Sequence, residues 1–477
     1  MESAFPEEMT VRDLLQAMAT GQLTSAQITA RCLARIERLN PALCAVIAVD
    51  SHAPERARAI DRLRASGNAV GPLAGIPILV KDNIDTLGLP TTAGSEALRR
   101  AFPRRDAELV SRLRRAGAII LGKTNLSEWA NYRADGAPGG WSPVGGQTRN
   151  PYVLDRTPRG SSSGSAVAAA AGLAPVTIGT ETSGSIISPA ATNAVVGFKP
   201  SHGRVGGTGF VPVSPWQDTA GPITRNVSDA AALFAVIAVP RRAVRLEPGL
   251  PPGARIGVWS GIRTEGSHPE VDRVLAEATA KLRDLGATTV EVDVPVPAQD
   301  GALPFEFKEA INAYLDSAGG EHPRDLAELI AFHRGDPAER VPDIGLARFE
   351  QAQLSDTVRS PREYRAERER ITGEARRSIN GVFDRHRLDA IMAPSNGRAH
   401  EILDPGDHPW VHSYSPPAIG GFPSITVPAG YADAELPLGV SFIGRRNHDE
   451  ELLGLAYTFE QATRARKQPR YLPTLPV

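Results

Sequence analysis

The hydrophobic residues of this chain follow two alternating patterns, which together predict an α/β protein. Short apolar runs occur at residues 76–80, 118–121 and 175–178, separated by glycine-rich turns and helical stretches. Apolar runs of this length between turns are typical of buried strands. Such strands need cover on both faces, so we expect one large α/β domain with a central β-sheet and helices on both sides. The strand pattern returns at residues 255–259, 289–294, 390–393, 424–427 and 439–443.

Helical periodicity marks the N-terminal part of the chain. Thr24 and Gln27 form the sequence signature of a capping box, and apolar residues then recur at helical spacing as far as Asn40. Pro41 follows, and because proline interrupts a helix we expect the helix to end there. The sequence therefore predicts an N-terminal helical segment over residues 1–65.

The remaining residues, 66–477, are predicted to form the α/β core. Residues 166–173 are almost all small and apolar, which favours a helix that is buried on every side. Residues from about 300 to 385 are charged and helical in pattern, with few strand signals. We expect this stretch to be a helical cap inserted over one end of the sheet, where it would set much of the substrate preference.

Composition narrows the range of partners. The 53 Lys and Arg residues nearly balance the 54 Asp and Glu residues, so no long-range positive field exists to hold nucleic acid or an anionic membrane. The sequence contains no run of about 18 apolar residues, and acidic residues stand where a signal peptide would be basic, so we expect a cytoplasmic protein. Cys32 and Cys44 support neither a disulfide framework nor a thiolate metal site. A small-molecule or peptide substrate fits better.

One motif match is misleading. Residues 117–124, Gly-Ala-Ile-Ile-Leu-Gly-Lys-Thr, satisfy the letters of a phosphate-binding P-loop. A phosphate loop needs a strand before its first glycine and exposed amides between its glycines. The positions between these glycines are apolar and predict a buried strand instead. We therefore reject nucleotide binding and expect no cofactor.

Candidate chemistry lies next to the predicted strands. One serine cluster, residues 160–165, opens the small-residue helix, and a second, residues 180–186, follows the strand at 175–178. Lys81 follows another strand, where it is a functional amine, a solvated loop residue or the partner of a carboxylate such as Asp82. Because ligands of open α/β sheets bind at the carboxyl ends of strands, the functional interpretation gains weight.

These residues resemble the amidase-signature family. That family combines a strand-terminal lysine, a Gly-Ser-Ser cluster, and a second Gly-Ser placed 24 residues after the leading serine, the spacing at which Ser161 and Ser185 stand here. The resemblance covers most of the chain and implies the amidase-signature fold, a single large α/β domain with a central mixed β-sheet covered by helices on both faces. It also implies that Ser185 is the nucleophile, that Ser161 relays the proton from an unusual cis peptide, and that Lys81 is the base.

Within that family, three segments are similar to those of the peptide amidases, residues 125–131, 145–152 and 180–182. Two positions depart from the common family pattern. Ser183 stands at a position that is glycine in the common family pattern and commonly aspartate in the peptide amidases. Ile187 replaces an arginine. An isoleucine offers no charge to a substrate carboxylate, so the substitution makes acidic substrates such as malonamides a poor expectation.

Amide hydrolysis needs an activated nucleophile, a proton for the leaving nitrogen and a stabilised oxyanion. A lysine is a base only as the neutral amine, so the pKa of Lys81 must fall from about 10.4 towards neutrality, and burial works in that direction. We expect the oxyanion to be held by the backbone amides of Thr182, Ser183, Gly184 and Ser185.

Histidine chemistry fits the sequence less well. None of the ten histidines lies between Lys81 and Lys199, which argues against a Ser-His-Asp triad. His408 and His412 have the spacing of helical metal ligands, but Pro409 lies between them and no third ligand is evident, so we expect no metal. Four aromatic residues after predicted strands either wall an apolar cleft or pack in the core: Trp129, Tyr132, Trp141 and Trp216.

The sequence thus predicts an amidase that releases ammonia from a primary carboxamide, with peptide C-terminal amides as a candidate class, through an acyl-enzyme. The alternative is the glutaminase subunit of a tRNA-dependent amidotransferase, which shares this pattern. Ile187 counts against it, because that family often meets the carboxylate of glutamine with an arginine. A third hypothesis, a silent binding protein with Ser183 as its lesion, is disfavoured by the presence of the lysine and both serines.

Overall fold

A computed structural model describes residues 9–68, 70–262, 268–296, 301–335, 344–402 and 411–476. Helices and strands alternate along the chain, as the apolar pattern predicts. The helices are α1 (Val11–Ala19), α2 (Ser25–Leu43), α3 (Ala53–Ala65), α4 (Glu108–Arg115), α5 (Ser163–Ala170), α6 (Ile187–Thr192), α7 (Val227–Ile237), α8 (Pro269–Asp284), α9 (Leu303–Ser317), α10 (Leu326–Gly335), α11 (Ala347–Gln353), α12 (Ser355–Val358), α13 (Pro361–His386), α14 (Ser415–Gly420) and α15 (Asp449–Thr463). The strands are β1 (Val46–Val49), β2 (Pro77–Lys81), β3 (Ala101–Phe102), β4 (Ile119–Thr124), β5 (Trp141–Ser142), β6 (Gly146–Gln147), β7 (Val176–Glu181), β8 (Val196–Lys199), β9 (Thr219–Thr224), β10 (Arg255–Trp259), β11 (Thr288–Val292), β12 (Gly319–Gly320), β13 (Ala390–Pro394), β14 (Ser424–Ala432) and β15 (Leu436–Ile443).

Eleven strands form one mixed sheet, in the order β1-β4-β2-β7-β9-β8-β14-β15-β13-β10-β11. Two parallel groups, β4-β2-β7 and β13-β10-β11, are joined by antiparallel strands. Helices flank the sheet; α5 packs against β7 and β9, and α8 and α15 pack against β14. Every residue of α5 is buried, as its small apolar sequence predicts. The predicted fold, a single large α/β domain around a mixed sheet, is confirmed.

The first parallel group positions the candidate chemistry. Strands β2 and β7 run side by side, with Val80 opposite Ile178, so both end at the same edge of the sheet. Lys81 is the last residue of β2 and Glu181 the last residue of β7. The turn after β7 carries the second serine cluster, while the first cluster opens α5, which packs against β2 and β7. Side chains that are far apart in sequence therefore meet at one edge.

The N-terminal segment differs from the sequence expectation in two respects. Residues 9–65 contain α1, α2 and α3, but also β1, which pairs antiparallel with β4 at the edge of the sheet. The predicted helix end at Asn40 and Pro41 is wrong by a few residues, because α2 continues to Leu43. A proline in the last turn costs few helical hydrogen bonds, and the Asn40 side chain accepts from the amides of Ala45 and Val46 to fix the exit of the chain.

The predicted cap stretch, residues 300–385, is helical in its described part. Helices α9, α10 and α11 pack together and contribute to a second hydrophobic cluster, separate from the main core. The C-terminal half of α13 packs instead on the sheet, where Ile379 and Phe383 contact the cluster around Trp259. The boundaries of the cap as a separate insertion stay a prediction.

Candidate active site

Lys81 lies fully buried at the end of β2 and points at hydroxyl groups. Its Nζ is 2.7 Å from Ser161 Oγ, 3.0 Å from Thr180 Oγ1 and 3.3 Å from the Thr180 carbonyl oxygen. Thr180 Oγ1 also accepts a hydrogen bond of 3.0 Å from the Asn83 side chain. The neighbouring carboxylate, Asp82, is not the partner of Lys81; among the described side chains Lys81 has no carboxylate at ion-pair distance.

The electrostatic setting favours a neutral amine. Burial lowers the pKa of Lys81 from 10.5 to about 7, while the negative charges of Asp218 and Glu181 act in the opposite direction. Desolvation disfavours the ammonium form, and hydroxyl partners compensate its charge less than a carboxylate in contact would. The pKa shift that the sequence required of this residue is therefore present in the structure.

The first serine cluster is fixed against β7. The peptide bond between Gly160 and Ser161 is cis. Ser162 Oγ donates to the Thr180 carbonyl at 2.9 Å and accepts from the Thr180 amide at 3.2 Å, which locks the start of α5 to the strand. The amide of Ser162 donates to the carbonyl oxygen of Ser185 at 3.1 Å. The two serine turns are therefore direct neighbours.

A buried carboxylate holds the turn that carries Ser185. Glu181 is 1% exposed, and its Oε2 accepts hydrogen bonds from the amides of Ile186 at 2.8 Å and Ile187 at 3.0 Å. Ile187 begins α6 and is buried, so it presents no polar group to a substrate. Ser185 itself is half-buried.

Residues 182–185 form the bend between β7 and α6. Gly184 has a φ of +81°, and a Cβ atom at this position would lie 2.5 Å from the ring of Tyr414, so only glycine fits. In the described part of the chain, no acceptor takes a hydrogen bond from the four amides of Thr182, Ser183, Gly184 and Ser185. These amides can donate to an oxygen of a bound molecule. The Ser183 side chain is exposed.

Asp218 is a member of the site that sequence reasoning did not single out. Its Oδ1 accepts from Thr182 Oγ1 at 2.5 Å, and its Oδ2 accepts from the amides of Val213 at 2.8 Å and Ser214 at 3.0 Å. Burial raises its pKa to about 6, against these hydrogen bonds and the charge of Lys81. Its position directly before β9, which pairs with β7, was the available signal.

Thr180, Asn83 and Glu181 were also missed as site residues. All three lie in or just after β2 and β7, so their position at strand ends could have indicated them. Their contacts depend on which strands are neighbours, and the sequence does not show that.

The rejection of the P-loop agrees with the structure. Residues 119–124 form β4, and every residue of this strand is buried. Lys123 makes an ion pair of 2.9 Å with Asp82 and donates to the carbonyl of Pro90. The stretch between Gly117 and Gly122, all of it described, is therefore strand rather than an amide nest for a phosphate.

The aromatic and histidine candidates from the sequence have different surroundings. Trp129 and Tyr132 pack in the second hydrophobic cluster beside Phe307, so they are core residues, while Trp141 is half-buried and Trp216 is 56% exposed. His408 lies outside the described residues. Among the residues that are described, no three His, Cys, Asp or Glu side chains form a group that could hold a metal ion. No helix in the same residues is long and apolar enough to cross a bilayer.

Comparisons with known proteins show similarity to amidases over most of the chain. A family model described as Amidase matches residues 27–453. The X-ray structure of the native peptide amidase of Stenotrophomonas maltophilia is 41% identical, with a TM-score of 0.89, and the match covers 98% of this chain and 99% of that one. A probable amidase of Arabidopsis thaliana is 36% identical over 98% of this chain and 92% of its own length. One subunit of the glutamyl-tRNA(Gln) amidotransferase of Symbiobacterium thermophilum is also 36% identical, over 93% of this chain and 94% of its own length.

Proposed function

This chain belongs to the amidase family, and we propose that it hydrolyses primary carboxamides, with peptide C-terminal amides as the preferred class, to a carboxylate and ammonia. The observation that carries this proposal is the buried Lys81 amine, which lies 2.7 Å from the Ser161 hydroxyl. Among the described residues, no carboxylate contacts this amine. The full-length similarity to a peptide amidase supports the substrate class. The proposed chemistry uses no cofactor, and a cytoplasmic location stays a prediction.

The proposed mechanism uses Ser185 as nucleophile. Its hydroxyl proton passes to Ser161 as the Ser161 proton passes to neutral Lys81, and the Ser185 oxygen adds to the amide carbon. The proton then returns through Ser161 to the amide nitrogen, the carbon–nitrogen bond breaks, and ammonia leaves an acyl-enzyme. A water molecule, deprotonated by the same relay, releases the carboxylate. The pKa of Lys81, about 7, suits a base at neutral pH.

The oxyanion is proposed to lie against the backbone amides of residues 182–185. These amides face no acceptor in the described structure, and Glu181 occupies the next two amides along the chain. Donors that are already oriented stabilise developing negative charge without reorganisation. The exposed Ser183 is compatible with this role because only its backbone is needed.

Similarity to an amidotransferase subunit makes a glutaminase the second candidate. That reaction would bring the free carboxylate of glutamine into the site. Ile187 is buried and uncharged, so it cannot supply the cation that such a carboxylate calls for. The amidase is therefore favoured.

Ammonia release from a panel of amides tests the proposal. Peptide amides, aromatic carboxamides, glutamine and malonamate would be compared using the wild type, Ser185→Ala and a matched control, Ser163→Ala. Ser163 lies in the first cluster, and its buried hydroxyl has no hydrogen-bond partner among the described residues, so its removal leaves none of them unpaired. We expect release from peptide amides that is lost in Ser185→Ala, kept in Ser163→Ala, and accompanied by fluorophosphonate labelling of Ser185.

Three outcomes would contradict the proposal. Turnover of glutamine alone would favour the amidotransferase function, and full activity in Ser185→Ala would remove Ser185 as nucleophile. Silence on every amide would favour the binding protein.

A further inference from the structure

Ser161 and Asp218 line a small pocket beside the candidate active site. It has room for about one water-sized molecule. Its lining combines polar and apolar residues. The lining residues that matter here are Asn83, Ser161, Thr182, Val211, Val213 and Asp218.

Asp218 gives the pocket a hydrogen-bond acceptor. Asp218 receives three hydrogen bonds from protein donors, whereas a carboxylate offers about four acceptor positions. Asp218 is half-buried although its neighbours Gln217 and Thr219 are buried. Since Asp218 lines the pocket, its remaining acceptor capacity is available to a donor that enters there.

The two valines in the lining are buried. Val211 and Val213 are 5% and 6% exposed, and the Val211 amide donates to the Asn83 carbonyl at 2.8 Å. Beside them, Ser214 Oγ donates to Glu306, which makes a buried two-pronged ion pair with Arg368 of α13. These contacts connect the segment that carries the two valines to helices α9 and α13. We therefore expect the valines to keep their positions when a larger group enters the pocket.

We propose that this pocket receives the leaving nitrogen of the substrate, and that Val211 and Val213 restrict that nitrogen to an unsubstituted NH2 group. This inference rests on the proposed function, in which Ser161 returns a proton to the departing nitrogen. That nitrogen must lie within hydrogen-bond reach of Ser161 Oγ, and Ser161 is one of the residues that line the pocket. Ammonia is the size of the one water-sized molecule for which the pocket has room.

Such a restriction would let an enzyme that acts on peptide C-terminal amides leave internal peptide bonds intact. In both cases the acyl part of the substrate is the same and the leaving group differs. An NH2 group fits the pocket and donates to Asp218, whereas a substituted nitrogen would place carbon against the valines. A single methylene in such a pocket changes kcat/KM by about 10- to 200-fold.

The test compares a peptide amide with its N-methylamide. Wild type, Val211→Ala, Val213→Ala and the double variant would be measured, with Val236→Ala as control; Val236 is a buried valine of α7 that does not line the pocket. We expect the wild type to favour the amide by at least about tenfold in kcat/KM. Each opened variant should lower that preference about tenfold, and Val236→Ala should keep it.

The single variants keep the test available if the double variant does not fold. Equal cleavage of the two substrates by the wild type would overturn the inference, and so would an unchanged preference in the opened variants. A change in acyl-group selectivity without a change in the amide to N-methylamide ratio would assign the pocket to the acyl side and also overturn it. Failure of the proposed function is a separate result, because then the wild type would release no ammonia from any primary amide.

Discussion

Lys81 and Lys123 are neighbours on adjacent parallel strands, and both side chains are fully buried, yet their surroundings differ. Lys123 lies opposite Val80, one position before Lys81 in register. It makes an ion pair of 2.9 Å with Asp82, whereas Lys81 contacts the hydroxyls of Ser161 and Thr180. Among the described side chains, one amine has a carboxylate in contact and the other does not.

The difference teaches what separates a structural amine from a candidate base. Burial alone does not decide, since both lysines share it. A contacting carboxylate offsets the cost of burying an ammonium, while hydroxyls offset it less and leave the neutral amine favoured. Asp82 directly follows Lys81 in sequence but reaches the other lysine, because its backbone continues alongside β4.

The largest expected effect is the loss of activity in Lys81→Met. Removal of the base should lower kcat/KM on a peptide amide by about 10³-fold or more. The protein should stay folded, because no buried carboxylate in the described structure loses an ion-pair partner. Steady-state kinetics together with a thermal melt check both parts. Activity within about tenfold of wild type would remove Lys81 as the base.

The reverse outcome is expected for Lys123→Met. This change leaves Asp82 buried without its ion-pair partner, so the free energy of unfolding should fall by about 3–5 kcal/mol. The kcat of the fraction that remains folded should change far less than in Lys81→Met. Denaturant unfolding, paired with kinetics below the melting temperature, measures the two effects separately.

The double variant Asp82→Asn, Lys123→Met sharpens that result. It removes both charges, so it should recover part of the stability that Lys123→Met loses. If the double variant is less stable than Lys123→Met, the ion pair is not what stabilises this region.

The smallest expected effect is a shift in pH dependence. In the proposed mechanism Lys81 acts as the neutral amine, so kcat/KM should rise with pH through about 7. Asp218 and Glu181 are the charged groups that raise the Lys81 pKa, so Asp218→Asn should lower it and move the acid limb to lower pH by about half a unit to one unit. The control is Asp229→Asn: burial also raises the pKa of Asp229 to about 6, but it contacts Val11. An acid limb that stays in place in Asp218→Asn would contradict the electrostatic account.

The strands that carry the site were predictable because they are uniformly apolar. The runs at 76–80, 118–121 and 175–178 correspond to β2, β4 and β7 within a few residues. The strand β9 was not predicted, since it contains Gly221 and Pro222 and is a strand only because it pairs with β7 and β8.

For the site, sequence reasoning placed Lys81 at a strand end and gave it a reason to lose its charge. It did not give Asp218, which reaches Thr182 across 36 residues, or the pairing of Arg368 with Glu306 across 62. Such contacts depend on strand order and on how the cap packs, and neither leaves a local pattern. The roles of Ser161 and Ser185 in catalysis stay predictions.

The contact between Gly184 and Tyr414 has a consequence for biosynthesis. Lys81, Ser161, Ser185 and Asp218 are all translated before the ribosome reaches the middle of the 477-residue chain, but the ring against which the glycine packs comes much later. A nascent chain can therefore contain every proposed catalytic group before the Tyr414 ring, which packs against Gly184, has been synthesised. If the contact is needed for activity, hydrolytic competence should appear only late in translation.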